Sequence, residues 1–303
     1  MNRLVAIVGP TGIGKSRLAI RLAQEYNGEI VSADSRQVYR RMDIGTAKPS
    51  PDELSAVPHH LINVINPDEP FSLAEFHRLA YGAITDIQHR NKLPLFVGGS
   101  GQYIWAVLEG WKAPGVPPDA EFRYNLEKQA AENGSEELYQ ELLRVDPEAA
   151  RKIDRRNVRR VIRALEVFSK TDTPFSQLKA KEPPPFDTAI IGLTTDRAGL
   201  YHIIDHRVDM MIEQGLVAEV EYLVNMGYDY KLSAMSSIGY QQIGMFLKGD
   251  INLESAVQQI KTETHRFVRR QYAWFRLKDK RIHWFDIINQ NETDIANIIY
   301  SVE

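Results

Sequence analysis

The sequence predicts an α/β fold, in which a parallel sheet core is interrupted by a helical insertion. Apolar runs of strand length alternate with amphipathic helical patterns from residue 4 onward, as in a parallel sheet covered by helices. A Gly- and Pro-rich stretch at residues 110–118 then leads into consecutive helix starts. A buried-strand pattern returns at residues 189–193. The helical region therefore lies between two parts of one sheet.

A glycine-rich loop follows the first strand and opens the first helix. The apolar run 4–8 precedes Gly9-Pro10-Thr11-Gly12-Ile13-Gly14-Lys15-Ser16, which fits the phosphate-loop pattern G-x-x-x-x-G-K-[ST]. In this motif backbone N–H groups surround phosphate oxygens, the lysine adds positive charge, and the hydroxyl of Ser16 can ligate Mg²⁺. We expect a phosphate site here. Whether the phosphate is hydrolysed, transferred or released stays open at this point.

The following elements complete the N-terminal part of the sheet. In order, they are a strand at 29–34, a long loop at 35–58, a short strand at 61–65, a helix capped by Ser72, and a buried strand at 95–97 followed by Gly98-Gly99-Ser100. The carboxyl ends of parallel strands line the ligand crevice of such sheets. Asp34 is therefore expected near the phosphate loop.

The insertion and the last part of the chain are predicted to be mainly helical. Helix starts are expected at Asp119, Ser135, Asp146 and Asn157. From Asp196 onward the chain is expected to be helical. We assign residues 1–112 and 186–303 to the α/β core, and residues 113–185 to the helical insertion.

Composition excludes several classes of function. The 303 residues are 43% hydrophobic and 25% charged and contain no cysteine. Disulfides, thiolate catalysis and cysteine-ligated zinc are therefore excluded. The net charge of −3 means that any nucleic-acid binding must rest on local basic patches. No apolar run approaches the length of about 18 residues that a membrane span needs, so we expect a cytoplasmic protein with no membrane partner.

The end of the 95–97 strand lacks an acid. Phosphate-loop ATPases and GTPases hold Mg²⁺ with an acid at such a strand end, but here Gly98-Gly99-Ser100 follows the strand. This pattern argues against nucleotide hydrolysis. It leaves open a small-molecule kinase, in which Asp34 would serve as general base or partner of the metal. Asp34 could also be a turn residue that satisfies nearby amides.

Two helical patterns carry clustered arginines. In the helix from Asn157, Arg156, Arg159, Arg160 and Arg163 lie opposite the apolar face. Near the C-terminus, Arg266, Arg269 and Arg270 share a face in a segment rich in aromatic residues. A solvated charged face is the alternative reading, but such faces usually mix signs. The pattern favours contacts with a polyanion such as nucleic acid.

Seven motifs follow one another along nearly the whole chain: GPTGIGKS at 9–16, SADSRQVY at 32–39, DIGTAKP at 43–49, GGSGQY at 98–103, RRVIRALEV at 159–167, SIGYQQ at 237–242 and RRQYAWFR at 269–276. In these motifs and their order the chain resembles the tRNA dimethylallyltransferases, also called tRNA isopentenyltransferases. The resemblance implies a P-loop-kinase-like parallel sheet core with a helical insertion that contacts the tRNA anticodon stem. It also implies transfer of the dimethylallyl group of dimethylallyl diphosphate to N6 of the adenosine 3′ to the anticodon, with Mg²⁺ as cofactor.

The resemblance assigns roles to individual residues. Gly9 to Ser16 would bind the diphosphate, with Mg²⁺ at Ser16; Lys15 and Arg207 would stabilise the leaving group, Asp34 would accept the N6 proton, and Ser100 would line the channel between donor and acceptor. The implied tRNA contacts are Asp34, Ser35, Arg36, Gln37, Ser100, Arg123, Arg159, Arg160, Val161, Ile162, Arg163, Ile238, Gly239, Tyr240, Arg269, Arg270 and Gln271.

Three residues depart from the family pattern, and two alternatives to this function remain. The loop has Gly12-Ile13 where the family often has a small polar pair, and Ser100 replaces a common threonine, which leaves the donor affinity open. A small-molecule kinase and an RNA-binding protein gated by a nucleotide are the alternatives. We expect a monomer. The sequence does not identify the tRNA substrates or the preferred length of the donor chain.

Overall fold

The computed structural model describes residues 2–112, 114–178, 180–288 and 292–300. The chain forms two compact units: the core unit, Met1–Leu108 with Pro184–Glu303, and the helical unit, Glu109–Pro183. Our domain assignment places the first limit, 112/113, a few residues inside the helical unit and the second limit, 185/186, two residues beyond its end. Among the described residues, no helix is long and apolar enough to cross a membrane.

The described residues form eight strands and fourteen helices. The strands are β1 Arg3–Val8, β2 Gly28–Ser32, β3 His59–His60, β4 Leu93–Gly98, β5 Trp111–Lys112, β6 Ala180–Lys181, β7 Asp187–Thr194 and β8 Ile282–Asp286. The helices are α1 Lys15–Glu25, α2 Pro51–Ala56, α3 Leu73–His89, α4 Gly101–Leu108, α5 Ala120–Asn133, α6 Ser135–Val145, α7 Pro147–Lys152, α8 Val158–Thr171, α9 Phe175–Leu178, α10 Arg197–Glu213, α11 Leu216–Asn225, α12 Tyr240–Leu247, α13 Leu253–Trp274 and α14 Glu292–Tyr300.

A parallel sheet of six strands, in the order β3-β2-β4-β1-β7-β8, forms the centre of the core unit. Its central strands are buried along nearly their whole length, and β1 and β4 carry the continuous apolar runs typical of strands covered on both faces. The register pairs Val8 with Gly98, and Ser32 with Val97. The carboxyl ends of β1, β2 and β4 therefore lie side by side. This arrangement brings together the loops that begin at Gly9, Ala33 and Gly99.

Three secondary-structure expectations are corrected in the core unit. The strand expected at 61–65 is wrong, because Leu61 and Asn63 have φ values of 61° and 57°, which no strand contains; β3 lies just before them. A short helix, α2, interrupts the loop expected at 35–58, and Ser50 and Glu53 form its capping box. The expectation of helix after Asp196 missed β8, which pairs with β7.

The helical unit has a core of its own, made by α5 to α9. Asp119 and Asp146 cap α5 and α7 as expected, whereas Gly134 takes the capping position assigned to Ser135. The buried residues of this core are Leu138, Leu142, Ala149, Ala150, Ile153, Val161, Ile162, Ala164 and Leu165. Asn157 caps α8, whose apolar face supplies four of them. The unit therefore buries one face of the arginine-rich helix.

Glu29 is a buried carboxylate at the edge of the core unit, in β2. Its oxygens accept hydrogen bonds from Arg90, from Lys92 Nζ at 2.8 Å, and pair with His60 Nε2 at 2.8 Å. The Arg90 hydrogen bonds hold the pKa of Glu29 well below its usual range, against the opposing effect of burial. The Glu29 side chain therefore stabilises the fold only while its carboxyl group is ionised.

We expect Glu29→Gln to lower the free energy of unfolding by about 1–3 kcal/mol at neutral pH, because it leaves the partly buried cations around it without a counter-charge. A carboxylate with a lowered native pKa contributes its stability above the pKa of the unfolded chain, about 4.3, and loses that contribution as pH falls below it. Urea unfolding at several pH values should therefore show a shallower acid dependence in Glu29→Gln than in the parent protein.

The matched control is Glu25→Gln, which neutralises an exposed carboxylate of the same region. It should leave both the stability and its pH dependence nearly unchanged. Equal pH profiles for Glu29→Gln and Glu25→Gln would contradict the role assigned to the Glu29 cluster.

Candidate active site

Two cavities lie at the carboxyl edge of the sheet in the core unit. The smaller measures about 260 Å³ and the larger about 420 Å³. Residues that line both are Thr11, Gly12, Asp34, Thr46 and Arg207. The two cavities are therefore neighbouring parts of one site, with the phosphate loop and Asp34 between them.

The phosphate loop occupies the turn from β1 into α1. Its cavity-facing residues are Thr11, Gly12, Gly14, Lys15 and Ser16, which line the smaller cavity. Gly9 and Pro10 are buried, and Ile13 packs into the hydrophobic core at 2% exposure. Gly14 adopts a φ of 92° directly before α1, a conformation that favours glycine. The first N–H groups of α1 therefore open onto the smaller cavity, where the helix dipole favours an anion.

Lys15 supplies the cation of the phosphate loop. Its ammonium donates a hydrogen bond of 2.7 Å to the Pro10 carbonyl. Burial lowers the pKa of Lys15 to about 7; the Asp34 carboxylate opposes this shift, and the Arg207 guanidinium adds to it. An anion bound in the smaller cavity would favour the protonated ammonium and raise this pKa again.

Arg207 reaches the phosphate loop from α10. Its Nη1 donates to Thr11 Oγ1 at 3.3 Å, and Gly12 packs against the neighbouring Ile204 of the same helix. Burial lowers the pKa of Arg207, and the Asp34 carboxylate works against that effect. Lys15, Arg207 and Asp34 thus form a group of two cations and one anion.

The loops after β2 and β4 are joined by hydrogen bonds next to Asp34. Ser100 Oγ accepts from the Ser35 backbone N–H at 3.1 Å, and the Asp34 carboxylate accepts from the Arg36 N–H at 2.8 Å. The turn reading of Asp34 is therefore correct as far as one carboxylate oxygen is concerned. The carboxylate also lines both cavities. It can serve the turn and still face a ligand.

A loop at residues 43–48 forms a further wall of the site that sequence reasoning did not identify. Glu219 of α11 accepts hydrogen bonds from the backbone N–H groups of Asp43, Ile44 and Gly45, and from the Tyr240 hydroxyl at 2.5 Å. From the other side, Gln37 Nε2 donates to the Thr46 and Ala47 carbonyls. A single glutamate within a helical pattern carries no sequence signal for this contact, because its partners lie far away in the chain.

Gln271 of α13 connects two of the site's loops instead of facing solvent. Its Oε1 accepts from the Thr11 N–H at 2.9 Å, and its Nε2 donates to the Gly99 carbonyl at 3.0 Å. Gln271 and Trp274 approach the loop after β4 closely because Gly99 and Gly101 have no side chain. A Cβ at Gly99 would lie 2.2 Å from Gln271, and one at Gly101 would lie 2.2 Å from Trp274. Gln271 is only 3% exposed and makes a structural contact with the phosphate loop, and its predicted tRNA contact stays a prediction.

Five of the other residues predicted near the acceptor lie around the larger cavity. Ser35, Arg36, Ile238, Gly239 and Arg270 line it. Arg36 also donates to the Ser233 carbonyl, and the exposed Arg269 donates to the Tyr201 hydroxyl at 2.9 Å. Gln37 lines the smaller cavity, and the Tyr240 side chain is fully buried beneath Gly45. The tRNA contact predicted for Tyr240 stays a prediction.

Several arginines of the helical unit pair with carboxylates, among them Arg156, which pairs with Asp154. Arg123 and Arg163 both pair with Glu166, a fully buried carboxylate three residues after Arg163 on α8. Arg159 and Arg160 are exposed, and among the described residues neither has a carboxylate within ion-pair distance. The expected uniform cationic face is therefore corrected to these two arginines.

Val161 and Ile162, also predicted as tRNA contacts, are buried at 1% and 2% exposure. Their side chains fill the core of the helical unit, and the tRNA contacts predicted for these two residues stay predictions. The spacing of three residues between Arg163 and Glu166 was the sequence signal for the ion pair that sequence reasoning overlooked.

The oxygen atoms that line the smaller cavity fit a magnesium ion that takes most of its ligands from water and from a bound diphosphate. Ser16 and Asp34 line this cavity, and among the described residues no three His, Cys, Asp or Glu side chains form a metal cluster. Mg²⁺ commonly takes one or two oxygen ligands from the protein and the rest from water and substrate phosphates. A hydroxyl and a carboxylate beside a phosphate loop meet that requirement.

Comparison with known proteins finds, over nearly the whole chain, the family that the sequence motifs resemble. The sequence matches the family described as IPP transferase over residues 37–278 and the one described as isopentenyl transferase over residues 2–64. The tRNA dimethylallyltransferase of Dehalococcoides mccartyi is 49% identical over 98% of this chain and 91% of its own. That of a Roseiflexus species is 53% identical over 91% of this chain and 90% of its own.

Two solved structures share the fold. The tRNA isopentenylpyrophosphate transferase of Bacillus halodurans superposes with a TM-score of 0.73, at 39% identity, over 100% of this chain and 96% of its own. A eukaryotic dimethylallyltransferase captured acting on tRNA superposes with a TM-score of 0.84, at 28% identity, over 98% of this chain and 78% of its own. The P-loop-like α/β fold predicted from the sequence is thereby confirmed, and the chain belongs to the tRNA dimethylallyltransferase family.

Proposed function

We propose that this protein transfers the dimethylallyl group of dimethylallyl diphosphate to N6 of the adenosine immediately 3′ of the anticodon in tRNA. The observation that carries the proposal is the pairing of a phosphate loop with a carboxylate between two cavities. Lys15 and Arg207 lie beside the loop, and Asp34 lines both the smaller and the larger cavity. The family membership of the chain supports the same reaction.

In the proposed reaction, one bond forms and one breaks at the donor's first carbon. The N6 lone pair of adenine attacks that carbon, and the carbon–oxygen bond breaks with its electron pair leaving on the diphosphate. Asp34 accepts the proton released from N6. Because the acceptor nitrogen is normally stacked within the anticodon loop, the base must turn out of the stack to reach the larger cavity.

The residues around the diphosphate act on the charge that develops as it leaves. Lys15, Arg207 and the first N–H groups of α1 are fixed before the reaction, so they stabilise that charge without reorganising. Ser16 would hold Mg²⁺ together with the diphosphate oxygens; the ion, when bound, would neutralise part of the same charge. Gln271 holds Thr11 and Gly99 in place and so maintains the shape of the loop.

No acid follows β4, which separates this site from that of a nucleotide hydrolase. Gly99 and Ser100 occupy that position, and Ser100 holds the loop after β2. A departing diphosphate needs no activated water, so the site requires no residue to orient one. The proposal thus accounts for a phosphate loop that lacks the second acid of hydrolases.

The test of the reaction class uses two labelled donors in parallel. The protein is incubated with unmodified tRNA and dimethylallyl diphosphate labelled in the prenyl carbons, and separately with γ-labelled ATP and candidate alcohols. We expect prenyl label in the tRNA and no transfer of the γ-phosphate. Label only in a small molecule would support a kinase, and binding of tRNA without transfer of either label would support an RNA-binding module.

Exposed arginines on both units are proposed to contact tRNA phosphates. They are Arg159 and Arg160 on α8, with Arg269 and Arg270 on α13. Double replacement of Arg159 and Arg160 by alanine should weaken tRNA binding, and it should lower the slope of log K against log salt by about 1.4–1.8, because each phosphate contact contributes 0.7–0.9. Filter binding over a salt series measures both quantities.

The control for this pair is Lys152→Ala on α7. Lys152 is an exposed cation of the same unit, but it is paired with Glu148. Its replacement should leave the salt slope unchanged. If the Arg159/Arg160 double variant has the parent's slope, the two arginines form an ordinary solvated face.

We further propose a cytoplasmic monomer, whose mass can be checked by light scattering.

A further inference from the structure

The lining of the larger cavity includes a polar set and an apolar set of residues, which we call its polar and apolar ends. The polar end comprises Asp34, Ser35 and Ser100, whose groups suit a nucleobase. The apolar end is lined by Val208 and Met211 of α10, Ile260 of α13 and Ile238. Polarity therefore divides the cavity between the two substrates of the proposed reaction: the base at one end and the prenyl chain at the other.

The direction of the apolar end follows from the way α10 and α13 pack. The two helices are antiparallel: Arg269 bonds to Tyr201 at 2.9 Å, and eight residues further along α10 Lys261 bonds to Asp209 at 2.8 Å. Ile204 abuts the phosphate loop at Gly12, and Arg207 bonds to Thr11. Moving along α10 away from the phosphate loop therefore leads from Arg207 towards Met211.

The apolar end is closed by packed side chains. Val208 and Ile260 are 3% and 2% exposed, and Met211 is half-buried against the same hydrophobic cluster. Beneath the 43–48 loop, Leu216 and Tyr240 lie so close that a Cβ on Gly45 would fall 2.9 Å and 2.5 Å from them. A chain that runs from the phosphate loop along α10 meets this floor.

Length decides how much of a prenyl chain fits. Four residues separate Met211 from Arg207, a rise of about 6 Å along the helix. The longest path in a dimethylallyl group, three carbon–carbon bonds of about 1.5 Å, spans about 4 Å when extended. The five-carbon chain therefore fits within the space between Arg207 and Met211, whereas a ten-carbon chain on the same path would have to displace Met211.

Resting on the proposed function, we propose that Met211 sets the length of the prenyl donor, and that its side chain excludes donors longer than the five-carbon diphosphate. Met211 is a specificity-determining residue in this account and takes no part in bond formation. Leucine at this position, with a similar volume, should keep the same limit. Removal of the side chain beyond Cβ opens space for three more heavy atoms.

The test compares Met211→Ala with Met210→Ala, its matched control. Met210 is the adjacent methionine on the same helix, but it is 37% exposed and does not line either cavity. Relative kcat/KM is measured for geranyl diphosphate against dimethylallyl diphosphate, with the same tRNA. We expect Met211→Ala to raise that ratio at least about tenfold, the lower range for discrimination by small apolar groups. Met210→Ala and Met211→Leu should keep the parent's ratio.

A second variant and a direct binding measurement make the outcome decisive. Met211→Phe should weaken binding of dimethylallyl diphosphate, measured by calorimetry, while binding of inorganic diphosphate stays at the parent's value. The same titration with geranyl diphosphate should show tighter binding to Met211→Ala than to the parent. Melting temperatures identify any variant that fails to fold, and the remaining one still gives the result.

An unchanged ratio in Met211→Ala, or equal loss of both diphosphates in Met211→Phe, would overturn the assignment of Met211. Failure of the proposed function would look different, because the parent protein would then transfer no prenyl group to tRNA. The binding arms do not require transfer, so they report on Met211 in either case.

Discussion

Asp34→Asn should reduce kcat for prenyl transfer by about 10²- to 10⁴-fold, the usual contribution of a positioned general base. The expected cause is loss of the group that accepts the N6 proton. Asparagine keeps a side-chain oxygen for the Arg36 N–H, to which Asp34 bonds at 2.8 Å. The turn after β2 should therefore survive, and the substitution isolates the role of the negative charge.

Single-turnover rates with prebound tRNA and donor measure this effect apart from binding. Dissociation constants of tRNA and of dimethylallyl diphosphate should change far less than the rate. Asp43→Asn is the matched control, because Asp43 is an exposed carboxylate on a loop of the same site that pairs with Lys48. Full turnover by Asp34→Asn with both substrates bound would show that another group, or water, removes the proton.

Lys15→Met should lower kcat/KM for the donor by about 10²- to 10³-fold, the usual cost of losing one fixed group that stabilises developing charge. Methionine keeps much of the apolar stem and removes the ammonium that now bonds to Pro10. Affinity for inorganic diphosphate should fall as well, since the product carries the same charge as the leaving group. Affinity for tRNA should remain at the parent's value.

A proton-linkage experiment adds a readout specific to Lys15. Its pKa in the free protein is lowered to about 7, chiefly by burial. A bound diphosphate raises that pKa, so binding above pH 7 takes up a proton and weakens as pH rises further. Calorimetry in buffers of different ionisation enthalpy should detect this uptake in the parent and not in Lys15→Met. Equal uptake in both would assign the proton to the ligand itself.

The sequence predicted the centre of the fold because several local signals agreed there. An apolar run, a glycine-rich loop and a helical pattern all placed β1, the phosphate loop and α1 in the same register. Elements at the edge of the sheet carried weaker signals. β3 has only two residues, and β8 is half-exposed and follows a charged segment, so neither has the continuous apolar run of the central strands.

The candidate site was predicted where a residue lies close in sequence to a strand end. Asp34 and Ser100 follow β2 and β4, so strand topology alone brings them together. Long-range contacts gave no comparable signal: Glu219 holds the 43–45 backbone from α11, and Gln271 holds Thr11 from α13. On the arginine-rich helix α8 the error is a local one. The clustered arginines predicted a free cationic face, but Arg163 pairs with the buried Glu166 of the same helix.

The position of the prenyl group in the product is the most direct test of the proposed reaction. Unmodified tRNA is treated with the protein and dimethylallyl diphosphate, digested with nuclease, and analysed by mass spectrometry. We expect one added prenyl group, on N6 of the adenosine 3′ to the anticodon, with one diphosphate released per group transferred and none transferred to a tRNA carrying guanosine at that position. Prenyl transfer elsewhere in the tRNA, or diphosphate release with no tRNA product, would contradict the account.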